Sequence, residues 1–120
     1  MQELFTVHSV PWQVGAQLFR EVRAVAYELN LQSIAELLTD EMDEHSRHAL
    51  ALNESGRAIG CARITPDGTI QRMLVLPVAR RTQIEAAMIE VLNDYRGQVN
   101  SRVGNISRSR NKPHAVRMLA

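Results

Sequence analysis

Arg80 and Arg81 directly follow an apolar run that ends at Pro77 and stand at the head of a helical pattern. Two guanidiniums beside the free N–H groups and positive dipole end of a helix suit an anion, such as the phosphates of a cofactor. The stretch that would hold it comprises Met73, Leu74 and Val75, then Arg80, Arg81, Thr82, Gln83, Ile84 and Glu85. A second group is Asp40, Asp43, Glu44, His45 and His48. Glu44, His45 and His48 are the candidate catalytic bases, because carboxylates and imidazoles take protons. The same group could sketch a metal site. No His-Glu-x-x-His order and only one cysteine accompany it, so no metal is expected, and the acids read as a patch that attracts an amine. Cys61 reads as a small buried hydrophobe rather than a reactive thiolate.

These residues must be positioned by a sheet and its helices. Residues 4–10 alternate enough to form a first strand, which Pro11 ends. Val14, Leu18, Val22, Val25 and Leu29 recur at spacings of four and three, the stripe of an amphipathic helix, with Trp12 as an anchor at its start and Tyr27 on its inner side. A short helix is expected over 33–39. Residues 48–53, 58–65 and 69–76 are apolar runs separated by Glu54-Ser55-Gly56-Arg57 and Pro66-Asp67-Gly68, which predicts an antiparallel meander. The helical period then returns in Ile84, Ala87, Met88, Val91 and Leu92, with Gly97 expected to close a helix over 82–95. Thr82-x-x-Glu85 has the spacing of a capping box. The order implies an α+β sandwich around one mostly antiparallel sheet.

At 120 residues, 45% of them hydrophobic, the chain is sized for one domain whose core needs no disulfide. No basic segment leads into an apolar one, and Pro77 interrupts the longest apolar run, so neither a secretion signal nor a membrane span is expected. With a single cysteine, the expected location is cytoplasmic. Up to Asp94, 8 Lys and Arg stand against all 13 Asp and Glu; beyond it come six bases and no acid. Those bases could meet phosphates, or the acidic stretch 36–44 of the same or a neighbouring chain.

The run Ile70-Gln71-Arg72-Met73-Leu74-Val75-Leu76-Pro77 followed by Arg80-Arg81-Thr82-Gln83-Ile84-Glu85 resembles the GNAT superfamily of acyl-CoA-dependent N-acetyltransferases. In that family a Gly-Arg-Met-Ala-Val-Leu-Pro strand leads into an Arg-Gly-x-Gly-x-Gly loop that binds the pyrophosphate of coenzyme A. Asp40-Glu41-Met42-Asp43, His48-Ala49-Leu50-Ala51, Gly56-Arg57-Ala58-Ile59-Gly60-Cys61-Ala62-Arg63-Ile64 and Arg23-Ala24-Val25-Ala26-Tyr27 are similar to one bacterial branch of it, as is the terminal Pro113-His114 with Arg117-Met118. The resemblance implies a GNAT-like core over 1–97, with 98–120 as a shortened basic segment completing the same domain. It also implies acetyl-CoA as cofactor, bound by Met73–Val75 and Arg80–Glu85, and an acetyl group passed to a primary amine. Arg81, Gln83 and Glu85 stand where the family has glycines, so the loop is degenerate and acetyl-CoA binding is expected to be weak. The alternative is a noncatalytic GNAT-derived module that has lost its cofactor and dimerises, because the sheet edge after 69–76 would stay open in a monomer. A third reading, nucleic-acid binding by the basic tail, is opposed by the absence of aromatics after Tyr95.

Overall fold

The computed structural model describes residues 4–31, 33, 38–78, 81–101 and 114–117. Strand β1 (Leu4–Pro11) turns directly into helix α1 (Trp12–Glu28), and a five-residue helix α2 (Glu41–His45) precedes the meander. The meander is β2 (Arg47–Asn53), β3 (Ala58–Ile64) and β4 (Ile70–Val75); helix α3 (Arg81–Ser101) and strand β5 (His114–Arg117) follow. All pairings are antiparallel, in the order β4-β3-β2-β1-β5. The result is an α+β domain, as its alternation of periods predicts. Both hairpin turns place a glycine at positive φ, Gly56 at 83° and Gly68 at 91°. In the first, the Asn53 side-chain oxygen accepts from the N–H groups of Ser55 and Arg57, each at 2.9 Å, which closes the turn locally.

Two apolar clusters lie on the two faces of the sheet. One joins Ile84, Ala87, Met88, Val91 and Leu92 of α3 to Phe5, Val7, Ala49, Ala51, Ile59 and Val75. The other joins Trp12, Phe19, Val22 and Ala26 of α1 to Leu50, Cys61 and Leu74. Every member of the α3 stripe read from the sequence is buried. The α1 stripe is rotated from its expected phase: the buried positions are Trp12, Gly15, Phe19, Val22, Arg23 and Ala26, while Val14 is 71% and Leu29 49% exposed. Tyr27, expected inside, is also exposed. The buried face carries an arginine and a glycine, which no count of apolar spacing registers.

Helix α1 ends in a Schellman cap at Asn30 (φ 63°), with the Leu31 N–H donating to the Ala26 carbonyl at 2.8 Å and that of Asn30 to Tyr27 at 3.0 Å. Helix α3 runs through Gly97 to Ser101 rather than closing there. Arg96 on its last turns donates to the Gly68 carbonyl at 3.1 Å, and Arg47 stacks on Tyr95, so the β3–β4 turn and the start of β2 are tied to α3. The helix expected over 33–39 falls largely outside the described residues, as does most of 98–113. The C-terminal strand forms, and it joins β1 of its own chain, at the edge opposite β4. No described helix is long and apolar enough to cross a membrane.

Candidate functional site

Asp43 is wholly buried in α2 and accepts two hydrogen bonds from Arg23 of α1, both 2.9 Å, and a third from Arg63 of β3 at 2.9 Å. Arg63 extends to Asp40 at 2.7 Å and to the Gln71 side-chain oxygen at 3.0 and 2.8 Å. Arg72 of β4 donates to the Leu38 carbonyl at 2.9 Å and to Asp40 at 3.3 Å. Two carboxylates therefore meet three guanidiniums from α1, β3 and β4. A reciprocal box between Asp40 and Asp43 closes the start of α2, so a helix too short to stand alone is held by its own cap and by the sheet. Burial pushes the Asp43 carboxyl up, but the hydrogen bonds and charge of Arg23, with the hydrogen bond from Arg63, outweigh it and hold it at about 2. The hydrogen bond from Arg63 is the main cause that lowers Asp40. The charge of these two acids is thus compensated within the chain, which corrects their reading as a patch that attracts an amine or meets the basic tail of a neighbour.

The same network shapes β4. Cys61 faces Leu74 but Arg63 faces Gln71, so β4 advances three residues where β3 advances two. This bulge is taken up at Arg72, which sits at φ 57°. A left-handed non-glycine residue costs on the order of 1 kcal/mol. The bonds from Arg72 to Leu38 and Asp40, and from Arg63 to Gln71, offset that cost.

Beyond the bulge, the Leu76 N–H donates to the Ile59 carbonyl at 2.9 Å, which makes Ile59 and Leu76 a hydrogen-bonded pair. Antiparallel alternation then makes Gly60 and Val75 the non-hydrogen-bonded pair, so the N–H and C=O of Val75 point away from β3. β4 is the outermost strand, and among the described residues nothing pairs with that side. The stretch left unpaired among the described residues is short, bounded by the Arg72 bulge and by Pro77.

The residues singled out from the sequence divide accordingly. Leu74 and Val75 are buried on opposite faces of β4, and Met73 packs beside Val75 on the α3 side. Ile84 is a core residue; Arg81, Thr82 and Gln83 are exposed in the first turn of α3, and Arg80 lies outside the described residues. Because α3 begins at Arg81, Thr82 is inside the helix, and Glu85 accepts from Arg81 Nε at 3.2 Å instead of closing a capping box. Glu44 and His45 are exposed on α2. His48 is not with them: its ring is 1% exposed, 4.6 Å from Phe19 and 5.3 Å from Trp12 between centroids, and its Nε2 donates to the Asp43 backbone carbonyl at 2.9 Å. Cys61 is buried as expected, and burial pushes its thiol up to about 11 despite the nearby Arg23. The role of Arg23, Arg63 and Arg72 was hidden in the sequence. The available signal was a lone charge inside each of two apolar runs, 22–26 and 58–64. Comparison of the chain with protein-family models, curated proteins and solved structures finds no match to any of them.

The burial of His48 and the pairing of Asp43 set an acid dependence. Burial is the main cause that lowers the His48 pKa below its ordinary 6.5. Between its folded and unfolded values the unfolded chain binds more protons, so this stability is present above pH 6.5 and lost as pH falls below it. Asp43, at about 2 against an ordinary 3.8, contributes roughly 2 kcal/mol that persists above pH 3.8 and disappears as pH falls toward 2. Urea midpoints measured from pH 8 to pH 2 should fall in these two windows. His48→Gln should flatten the upper one apart from a remainder from His8, which burial also lowers; a midpoint constant from pH 8 to pH 4 would refute the assignment.

Proposed function

We propose that this chain is a GNAT-related domain whose β4 edge receives the extended arm of an acyl-CoA, and that its reaction is transfer of the acetyl group to a primary amine. One observation carries the reading: the outward N–H and C=O of Val75 lie on a short stretch with which nothing pairs among the described residues, and Pro77 and then α3 follow it in the chain. A chain of secondary amides can pair with such an edge as a strand would, while the helix start faces the phosphates. Met73, Leu74 and Val75 supply the edge, and Arg81 supplies positive charge, part of which Glu85 neutralises. The amide-bearing arm fits this edge better than the pyrophosphate fits the first turn, where Gln83 and Glu85 keep the glycine-free backbone farther from a ligand.

Calorimetry with acetyl-CoA tests this. The expected dissociation constant is weaker than about 100 μM, and Gln83→Gly with Glu85→Gly should tighten it about tenfold, a gain near 1.4 kcal/mol. An unmodified chain that binds at micromolar concentration would mean that the first turn accepts pyrophosphate better than argued. No gain in the double variant would remove this loop as the site.

A second reading, the noncatalytic GNAT-derived module, draws support from the sealed His48 ring and the internally compensated Asp40 and Asp43. These leave exposed Glu44 and His45 as the remaining candidate bases. An acetylation assay on a panel of primary amines separates the two readings, with the module predicting no turnover.

A further inference from the structure

We propose that two copies of this chain join their β4 edges antiparallel about a two-fold axis beside Leu74, making one continuous sheet. This deepens the module reading by naming its surface, and it competes with the acyl-CoA reading, because both use the outward N–H and C=O of Val75. The outer edge of β4 presents Val75 and, by the same alternation, Met73, whose side chain shares the α3 face with that of Val75. A two-fold axis at Leu74 sets Met73 of one copy opposite Val75 of the other and the reverse, so each pair can exchange two main-chain hydrogen bonds. Leu74 then faces its own counterpart.

The register is selected by what flanks it. On one side Arg72 at φ 57° breaks the ladder, and on the other Pro77 has no N–H to give. A shift that moves the axis off Leu74 pairs one of these against the partner strand. The partner is a second copy because the edge is self-complementary and lacks the charges that ordinarily keep strands apart. β4 holds no Lys, Asp or Glu, and its one charged side chain, Arg72, is turned to Leu38 and Asp40 of its own chain. The opposite edge of the sheet is covered by β5. Leu38, held at its carbonyl by Arg72 and therefore beside this edge, exposes 58% of its surface and would gain cover from the second copy.

Sedimentation of the full chain across 1 to 100 μM, on the scale of ordinary weak self-association, is the first measurement. A dimer is expected within that range; a monomer throughout would overturn the proposal. Val75→Pro removes an N–H that β3 does not use, and should weaken association at least tenfold while circular dichroism shows the fold intact. Unchanged dimerisation of that variant would also overturn it. Should the variant fail to fold, amide exchange on the natural chain decides: the Val75 N–H should be protected at 100 μM and lose that protection on dilution. Fast exchange of Val75 at every concentration would sink the idea. Absence of acetyl-CoA binding to a chain that dimerises in this way would count against the acyl-CoA reading alone.

Discussion

Asp43→Asn is expected to lower the free energy of unfolding by about 3 to 5 kcal/mol, a large share of the 5 to 15 kcal/mol typical of a whole domain. The carboxylate is 0% exposed and, among the described residues, is the only anion that pairs with Arg23, whose Nε has no hydrogen-bond partner among them. The amide keeps the shape and removes the charge, which leaves one buried guanidinium uncompensated and a second, Arg63, dependent on Asp40. Asp40→Asn should cost only about 1 kcal/mol, because Asp40 is 42% exposed and water screens its pairs with Arg63 and Arg72. Replacing the whole triad, with Arg23→Met, Asp43→Leu and Arg63→Met together, should recover most of the loss, since a well-packed apolar set avoids desolvating the ions. Urea unfolding of the three variants checks the order. A loss for Asp43→Asn no greater than that for Asp40→Asn would mean that the buried pair contributes little.

The meander and the α3 stripe were legible because each rests on a local period, two for strands and 3.6 for the helix, and nothing non-local overrides it. The phase of α1 was not, because its buried face is completed by Arg23, whose partner Asp43 lies 20 residues away. The role of Asp40 and Asp43 was hidden for the same reason. Asp40 and Asp43 look solvated in a row of polar residues, and only the fold brings Arg23, Arg63 and Arg72 to them. The resemblance pointed to Met73, Leu74 and Val75. Which of them has an outward N–H depends on register, and register here turns on a bulge at Arg72 that residue type does not announce. The edge chosen by the C-terminal strand was likewise beyond reach, since strand character in 114–117 says nothing about which partner it finds.

Phe19→Ala should cost about 3 to 5 kcal/mol, the second large effect, and its coupling to Gly15 identifies the cause. Phe19 is 0% exposed at the centre of α1, stacked on Trp12 at 5.5 Å and on His48 at 4.6 Å between ring centroids. Its ring lies over Gly15 so closely that a β-carbon there would stand 2.8 Å from Cε2 and Cζ. Gly15→Ala alone must therefore push the ring out of its stack, an overpacking expected to cost about 1 to 3 kcal/mol. In the Phe19→Ala background the ring is gone, the added methyl enters the vacated space, and its higher helix propensity adds up to about 1 kcal/mol in its favour. The two substitutions should then be strongly non-additive, with Gly15→Ala changing from destabilising to neutral or stabilising. Val14→Ala, one residue from Gly15 but 71% exposed, should stay within about 0.5 kcal/mol of the natural chain. Additive losses for Gly15 and Phe19, or a loss at Val14 as large as at Phe19, would show that α1 packs by a different face. In that case His48, whose neutral ring depends on the cover of Phe19 and Trp12, would be open to protonation and the upper acid window would vanish with it.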